Sequence, residues 1–453
     1  MEDIITAVAT AFGESAIAIV RLSGNGCTNL AETILKGKYT LLSCQPRTMM
    51  LFTLYDNSGV FDEALVIRFN SNASYTGEES VEIQCHGGIL AAQRCVEILC
   101  RQGARIAEPG EFTRRAFING RIDLSQAEAV LGIINAKSNE ALSASTRTLQ
   151  GKFTKAVYKF LGKLTELSAQ LEVNLDFPEE GEGLRPKADF ISMILDSISE
   201  GENISSLCRA GLLLREGIKA AIIGRPNVGK SSLLNALLSE ERAIVTPVPG
   251  TTRDRIEETF IHKSIPIRII DTAGIRKTND DIENIGVNIS LNTLKNSDIC
   301  IWVIDTSAPI NSEDLDLGNT ILKHNHLIVL NKSDLQHKTT QETIQQMFPN
   351  SKVISVSATR NIGIEQLKDE LVRSIHDKTS FAGSYGVTAR QMECINNAVV
   401  SLKESLKAND QQLGDDVVAT CVSEARKHIS SLLGLDASEN LLDEIFSKFC
   451  VGK

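Results

Sequence analysis

Eight residues, Gly224-Arg225-Pro226-Asn227-Val228-Gly229-Lys230-Ser231, stand between the apolar run 220–223 and the helical run 233–238. Strand, glycine-rich loop and helix in that order form a phosphate cradle. The glycines let backbone N–H groups turn toward phosphate oxygens, and the helix start adds positive potential. Asn227, Val228 and Gly229 line such a loop, Lys230 reaches the outer phosphates, and Ser231, with Ser232 behind it, opens the helix as a magnesium ligand. A second apolar run, 267–270, ends in Asp271-Thr272-Ala273-Gly274, a carboxylate for magnesium and a glycine N–H for a terminal phosphate. A third, 299–304, supplies a further strand. A fourth, 327–330, leads into Asn331-Lys332-Ser333-Asp334, where the Asp334 carboxylate can accept from the guanine ring N–H and exocyclic amine, an arrangement adenine lacks. The run 353–356 then reaches Ser357-Ala358, whose backbone N–H groups can meet the guanine carbonyl. Each group alone is an ordinary strand-end turn; four in this order point to a site for GTP and GDP.

Hydrolysis needs a positioned water. Ras-like GTPases carry a glutamine just after the Asp-x-x-Gly box, and here that place is Ile275, whose aliphatic side chain cannot orient a nucleophile. The segment Thr246-Pro247-Val248-Pro249-Gly250-Thr251-Thr252 supplies hydroxyls and turn carbonyls, with Thr252 the candidate second magnesium ligand. Together with the side-chain oxygen of Asn227, that segment could hold a monovalent cation beside the phosphates, or it is a plain switch loop.

The elements that must position these groups divide the chain. At 453 residues, with 42% hydrophobic and 23% charged residues, it is a globular chain of several domains. Short β-rich runs at 16–22, 49–55, 64–69 and 81–84, with a helical stretch at 89–100, predict an α+β domain over residues 1–120. Helical spacing over 124–173 and 191–214 predicts the first part of a helical domain, 121–214, interrupted by an acidic, breaker-rich loop at 177–183. The nucleotide motifs occupy an α/β domain, 215–375, and amphipathic runs at 388–407, 415–433 and 439–449 return to helix over 376–453. The economical reading is a helical domain into which the nucleotide domain is inserted.

A net charge of −10 argues against a general nucleic-acid binder and leaves room for a local basic contact with RNA. No apolar run reaches the roughly 18 residues of a membrane span, and Met1-Glu2-Asp3 does not open a signal peptide, so a cytoplasmic location is expected. The ten cysteines are scattered singly, which fits reduced thiols. The Cys450-Val451-Gly452-Lys453 end reads as a mobile, exposed segment.

These motifs and their flanks resemble the family of tRNA uridine-5-carboxymethylaminomethyl modification GTPases, known as MnmE or TrmE. The likeness extends to Ala18-Ile19-Val20-Arg21-Leu22-Ser23-Gly24, Tyr75-Thr76-Gly77-Glu78-Glu79, Glu82-Ile83-Gln84-Cys85-His86-Gly87-Gly88, Pro109-Gly110-Glu111-Phe112-Thr113 and the stretch 119–128. The tail differs from the family's Cys-Ile-Gly-Lys only by valine for isoleucine.

The resemblance implies a folate-binding N-terminal α+β domain that dimerises, a helical central domain and an inserted Ras-like α/β P-loop G domain activated by potassium. With a FAD-dependent partner, MnmG or GidA, in a heterotetramer, such proteins modify carbon 5 of the wobble uridine of certain tRNAs. A reduced folate, 5-formyltetrahydrofolate or 5,10-methylenetetrahydrofolate, supplies the one-carbon unit. By the same likeness, Asn227, Thr246, Val248 and Thr251 correspond to potassium ligands, Ser231 and Thr252 to magnesium ligands, and Glu283 to the residue orienting water. Arg21, Glu82, Arg121 and Lys453 correspond to folate contacts, with Glu78 and Glu79 as neighbouring alternatives to Glu82, and Cys450 to a residue of the modification chemistry. From the residues alone, Arg21 and Arg121 could equally pair with surface carboxylates, and His86 is assigned no chemistry. Potassium-dependent GTPases of ribosome assembly share the phosphate loop, but that reading calls for a second G domain or a basic RNA-binding domain, and neither is visible in the sequence. A GTP-gated scaffold is the third reading, and the N-terminal blocks and Cys450 count against it.

Overall fold

The computed structural model describes residues 3–176, 187–238, 258–270, 294, 297–376, 381–436 and 438–453. The acidic loop expected at 177–183 lies outside the described residues. The chain divides into two compact units. One comprises Met1–Leu131, Thr148–Gly201 and Glu393–Lys453, and the other Gly132–Arg147 and Glu202–Met392.

The first unit opens with seven strands: β1 Ile5–Val8, β2 Ile17–Ser23, β3 Leu35–Lys36, β4 Met50–Asp56, β5 Gly59–Phe69, β6 Ser80–His86 and β7 Arg105–Ile106. They form one sheet in the order β3-β4-β5-β6-β2-β1-β7, antiparallel throughout except for the parallel β1–β7 pair. Side chains alternate across a strand, so Val20 and Leu22 of β2 join Val81 and Ile83 of β6 in a core closed by Cys27 and Ala31 of one helix and Ala92, Cys95 and Leu99 of another. The intervening residues Arg21 and Glu82 are register partners on the opposite face. Burying one set of side chains therefore brings the two charged ones together.

The expected helical stretch 124–173 is three helices, Leu124–Ile134, Asn139–Leu149 and Lys152–Asp176. Between the last two, Gly151 takes φ 76°, a left-handed conformation that glycine adopts freely. The Gln126 amide donates to the Leu149 carbonyl at 2.8 Å, satisfying one of the acceptors a helix end leaves open. In the longest of the three, Phe153, Val157, Phe160, Leu164, Leu167 and Leu171 are buried at alternating steps of four and three, the stripe that packs helix on helix. Its partner is helix Asp415–Leu433.

The C-terminal segment is seated rather than mobile, which corrects the expectation for residues 450–453. Helix Glu439–Phe446 carries Ile445, Phe446 and then Phe449 into a core with Leu124 and Ala127. Beyond it, the Gly110 N–H donates to the Cys450 carbonyl at 3.4 Å and the Phe112 N–H to the Lys453 carbonyl at 3.2 Å. Both donors sit at the start of helix Glu111–Ile118, where no intrahelical acceptor exists. Gly452 is buried at φ 93°, and a Cβ there would lie 2.3 Å from the Val8 carbonyl. The cause is non-local, because the tail completes a helix start more than 300 residues earlier.

The second unit holds six strands: β8 Ile218–Ile223, β9 Glu258–His262, β10 Ile265–Ile270, β11 Ile299–Asp305, β12 His326–Asn331 and β13 Val353–Ser355. Their order is β13-β12-β11-β8-β10-β9, parallel except for the β9–β10 hairpin. Both faces are covered, as a largely parallel sheet requires. In β11, Ile299, Ile301 and Val303 enter one core and Cys300, Trp302 and Ile304 the other. Continuous apolar runs in the sequence are the trace of that double burial.

Gly110 takes φ 70°, and a Cβ there would sit 2.5 Å from the Phe446 carbonyl oxygen. Gly110→Ala should therefore cost about 1–3 kcal/mol and loosen the tail, read as faster hydrogen exchange at Phe112 and Lys453, whose N–H groups donate to tail carbonyls. Unchanged exchange would show that the tail is held elsewhere.

Candidate functional site

Strand β8 lies between β10 and β11, so the chain leaves its carboxyl end where the connections diverge to either side, the position at which open α/β sheets bind ligands. The phosphate loop follows at once. Gly224 has no room for a side chain, since a Cβ would meet the Val303 carbonyl at 2.4 Å. Asn227 takes φ 63° and Gly229 φ 95°, turning the loop toward helix Lys230–Leu238. The Lys230 ammonium donates to the Gly224 and Arg225 carbonyls, each at 2.7 Å, and burial lowers its pKa. Ser231 and Ser232 are exposed at the helix start, as is Asn227 in the loop. The Arg225 guanidinium donates to the buried Asp314 at 2.7 Å, and Asp314 also belongs to the capping box of helix Ser312–Ile321.

The residues expected to read the base meet this loop through Asn331 at the end of β12. Its amide nitrogen donates to the Val228 carbonyl at 2.9 Å, and its oxygen accepts from the Ala358 N–H at 3.2 Å. Lys332, at φ 64°, donates to the Asn227 carbonyl at 3.0 Å. The Ser357 hydroxyl donates to Asp334 at 2.6 Å and holds its carboxyl below the usual range, with Arg360 contributing. Ser357 thus enters the site through its hydroxyl, because its N–H donates to the Ile362 carbonyl at 3.0 Å. Thr246, Pro247, Val248, Pro249, Gly250, Thr251, Thr252, Asp271, Thr272, Ala273, Gly274, Ile275 and Glu283 lie outside the described residues.

The first unit gathers a second group of the expected residues. Arg21 donates to Glu82 Oε1 from Nε at 3.0 Å and from Nη2 at 2.8 Å. Its guanidinium lies 5.2 Å from the Tyr75 ring centroid and 5.6 Å from that of Phe112. Arg121 is also 5.2 Å from the Tyr75 ring and donates to the Tyr75 carbonyl. The seated tail brings Lys453 here: burial lowers its pKa, Arg21 adds to that, and Cys450 and Glu82 oppose it. Cys450 itself is exposed.

Glu78 and Glu79 have other work. Glu78 accepts from Ser23 at 2.9 Å and Arg115 at 3.2 Å, while Glu79 accepts from the Gly26 and Thr28 N–H groups at 2.8 and 3.2 Å. His86 is exposed, and the Asp62 carboxylate hydrogen-bonded to it raises its pKa.

The model of the GTP-binding protein TrmE N-terminus matches residues 4–121, and that of the MnmE helical domain matches residues 124–450. The tRNA modification GTPase MnmE of Aquifex aeolicus is 40% identical over 458 residues, covering 100% of both chains. That of Clostridioides difficile is 38% identical over 464 residues, again with 100% of both chains covered. The chain belongs to the MnmE family of tRNA modification GTPases. Among solved structures, the G domain of the T. maritima FeoB iron transporter is 29% identical, covering 35% of this chain and 98% of its own at a TM-score of 0.27.

As an MnmE-family chain it combines an α+β N-terminal domain, a helical domain and a Ras-like P-loop G domain. Among the described residues no helix is long and apolar enough to cross a membrane, and no cluster of three or more His, Cys, Asp or Glu could hold a metal ion. Sequence reasoning missed the Ser357 hydroxyl, Arg360, Asp305 at the end of β11 and Thr306 just after it. The apolar run ending in a lone carboxylate at Asp305 was the available signal.

Asp334, held by Ser357, is the carboxylate expected to read the base, so Asp334→Asn should lose GTP affinity by roughly tenfold to a hundredfold, as unmatched donors imply, and gain binding of xanthosine triphosphate. Unchanged GTP affinity in a titration would remove Asp334 from the base-reading role.

Proposed function

We propose that this chain is a potassium-dependent GTPase that, with the FAD-dependent MnmG (GidA), adds a carboxymethylaminomethyl or aminomethyl group to carbon 5 of the wobble uridine of tRNA. It acts in the cytoplasm as a homodimer joined to MnmG in a heterotetramer. The observation that carries the reading is the seating of the C-terminal tail in the first unit. That seating puts Lys453 beside Arg21 and Glu82, with Arg121 and Tyr75 adjoining.

The residues fit a reduced folate. Two guanidinium groups stacked on one aromatic ring, with a half-buried ammonium beside them, suit a flat ligand bearing carboxylates. Arg21, Arg121 and Lys453 would hold it and Glu82 would keep Arg21 oriented, while 5-formyltetrahydrofolate or 5,10-methylenetetrahydrofolate supplies the one-carbon unit when bound. The Cys450 thiol is exposed and would act on a substrate arriving from outside.

In the nucleotide site, Lys230 and the amides of Val228 and Gly229 would bind phosphate, Asp334 would read the base beside Ala358, whose N–H is held by Asn331, and Ser231 would hold magnesium together with Thr252. The carboxylate at Asp271 and the amide of Gly274 attend the terminal phosphate. Asn227, Thr246, Val248 and Thr251 hold potassium, and Glu283 orients the water that Ile275 cannot. A potassium ion held by these residues would supply positive charge beside the phosphates.

Two activities should separate. Cys450→Ser is nearly isosteric, so a reconstituted assay with MnmG should show most wobble-uridine modification lost while GTP hydrolysis stays near normal. Hydrolysis by both proteins should be at least roughly tenfold faster in potassium than in sodium, the scale of a lost charge-stabilising group. Full modification by Cys450→Ser would reduce the thiol to a bystander, and equal rates in the two salts would remove the cation from the account.

A further inference from the structure

We propose that Asp305 is a positioning residue for nucleotide binding, fixing Lys332 and, through it, the Asn227 carbonyl of the phosphate loop. Asp305 closes β11 in register with Asn331 of β12. Its side chain is 12% exposed, and Lys332 Nζ forms an ion pair with its Oδ2. The other carboxylate oxygen accepts from the Ser307 N–H at 2.9 Å and the Ser307 hydroxyl at 2.6 Å. Burial alone would raise this carboxyl; Lys332 and Ser307 outweigh it and keep it below the usual range.

Lys332 stands in a left-handed conformation at φ 64°, which a lysine adopts only when its surroundings hold it there. Two sets of bonds do so. The Thr306 hydroxyl donates to the Asn331 carbonyl at 3.0 Å and to the Lys332 carbonyl at 3.1 Å, which fixes the backbone. Asp305 fixes the other end of the side chain, and the same ammonium then donates to the Asn227 carbonyl at 3.0 Å. Asn227 is itself left-handed at φ 63°, and this bond holds the direction of its carbonyl. The carboxylate thereby joins the base-reading loop to the phosphate loop without facing either the base or a phosphate. Removing its charge frees the Lys332 ammonium to swing, and both loops lose a fixed point.

This inference rests on the reading of these loops as the nucleotide site. The test is a fluorescence titration of the full chain with magnesium and N-methylanthraniloyl GDP, on the unsubstituted protein, Asp305→Asn, Lys332→Met and the double variant. Asp305→Asn and Lys332→Met should each weaken binding about tenfold, and the double variant should be no weaker than Lys332→Met, since residues of one ion-pair network do not add. In hydrolysis, Asp305→Asn should raise KM and leave kcat within about twofold, the mark of lost uniform binding. A general loosening of the fold would instead make the two substitutions add. Should Asp305→Asn fail to fold, Ser307→Ala keeps the charge and loses only its orientation, with an expected loss of about threefold that disappears on a Lys332→Met background. Affinity within twofold for Asp305→Asn, or additive losses, would overturn the proposal. Absence of GDP binding by the unsubstituted chain would overturn the site itself and the proposal with it.

Discussion

The side chain of Asn331 holds the nucleotide site together. A carboxamide offers a donor and an acceptor at fixed separation, and both are used: the nitrogen on Val228 of the phosphate loop, the oxygen on Ala358 of the loop after β13. At 2% exposure neither bond competes with water. An aspartate would have no donor for the Val228 carbonyl, and a leucine would leave both partners without this bond. The close approach also dictates Gly229, where any Cβ would stand 2.3 Å from the Asn331 nitrogen. Phosphate cradle and base pocket thus share one rigid element. Sheet order is the precondition, because β11, adjacent to β8, carries β12 and β13 outward on the same side.

The first unit solves a comparable problem with main-chain groups. The start of helix Glu111–Ile118 presents unsatisfied N–H donors, and the tail supplies carbonyls for two of them. Aromatic packing of Phe446 and Phe449, with ring centroids 5.6 Å apart, sets the angle at which the tail arrives. Two terminal features follow from the same docking: Lys453 is drawn into a half-buried position near Arg21, and Cys450 is left facing outward. A half-buried cation near another cation is costly; Cys450 and Glu82 oppose part of that cost at Lys453, whose pKa stays lowered by burial and by Arg21.

Much of this was legible in the sequence where the cause is local. The phosphate loop is read from spacing, and the central strands of the second unit appear as uninterrupted apolar runs because both their faces are buried. The strand at 81–84 and the helix at 89–100 announce themselves by alternation and by helical period. Pairing that depends on distant chain was not legible. Strands β3 and β7 are two residues each and carry no pattern of their own; they exist because β4 and β1 offer free edges. The β9 strand alternates poorly and is defined by its hairpin with β10, whose turn residues Lys263 and Ser264 both take positive φ. The tail misled for the same reason: its glycine and lysine read as solvent-facing, and only the helix start at Gly110 makes them otherwise. The partners of Glu78, Glu79 and Glu82 were not legible either: the first two bond Ser23 and the Gly26 N–H, and Glu82 pairs with Arg21.

Through one buried amide, base recognition and phosphate binding should be a single event. Calorimetric titration of the full-length Asn331→Ala variant with GDP and magnesium tests it most directly. Leaving the Val228 carbonyl and the Ala358 N–H unpaired should cost about 2 kcal/mol, a loss of roughly thirtyfold in affinity, and preference for GDP over ADP should fall with it. GDP affinity within twofold of the unsubstituted chain, with preference for guanine intact, would contradict the claim.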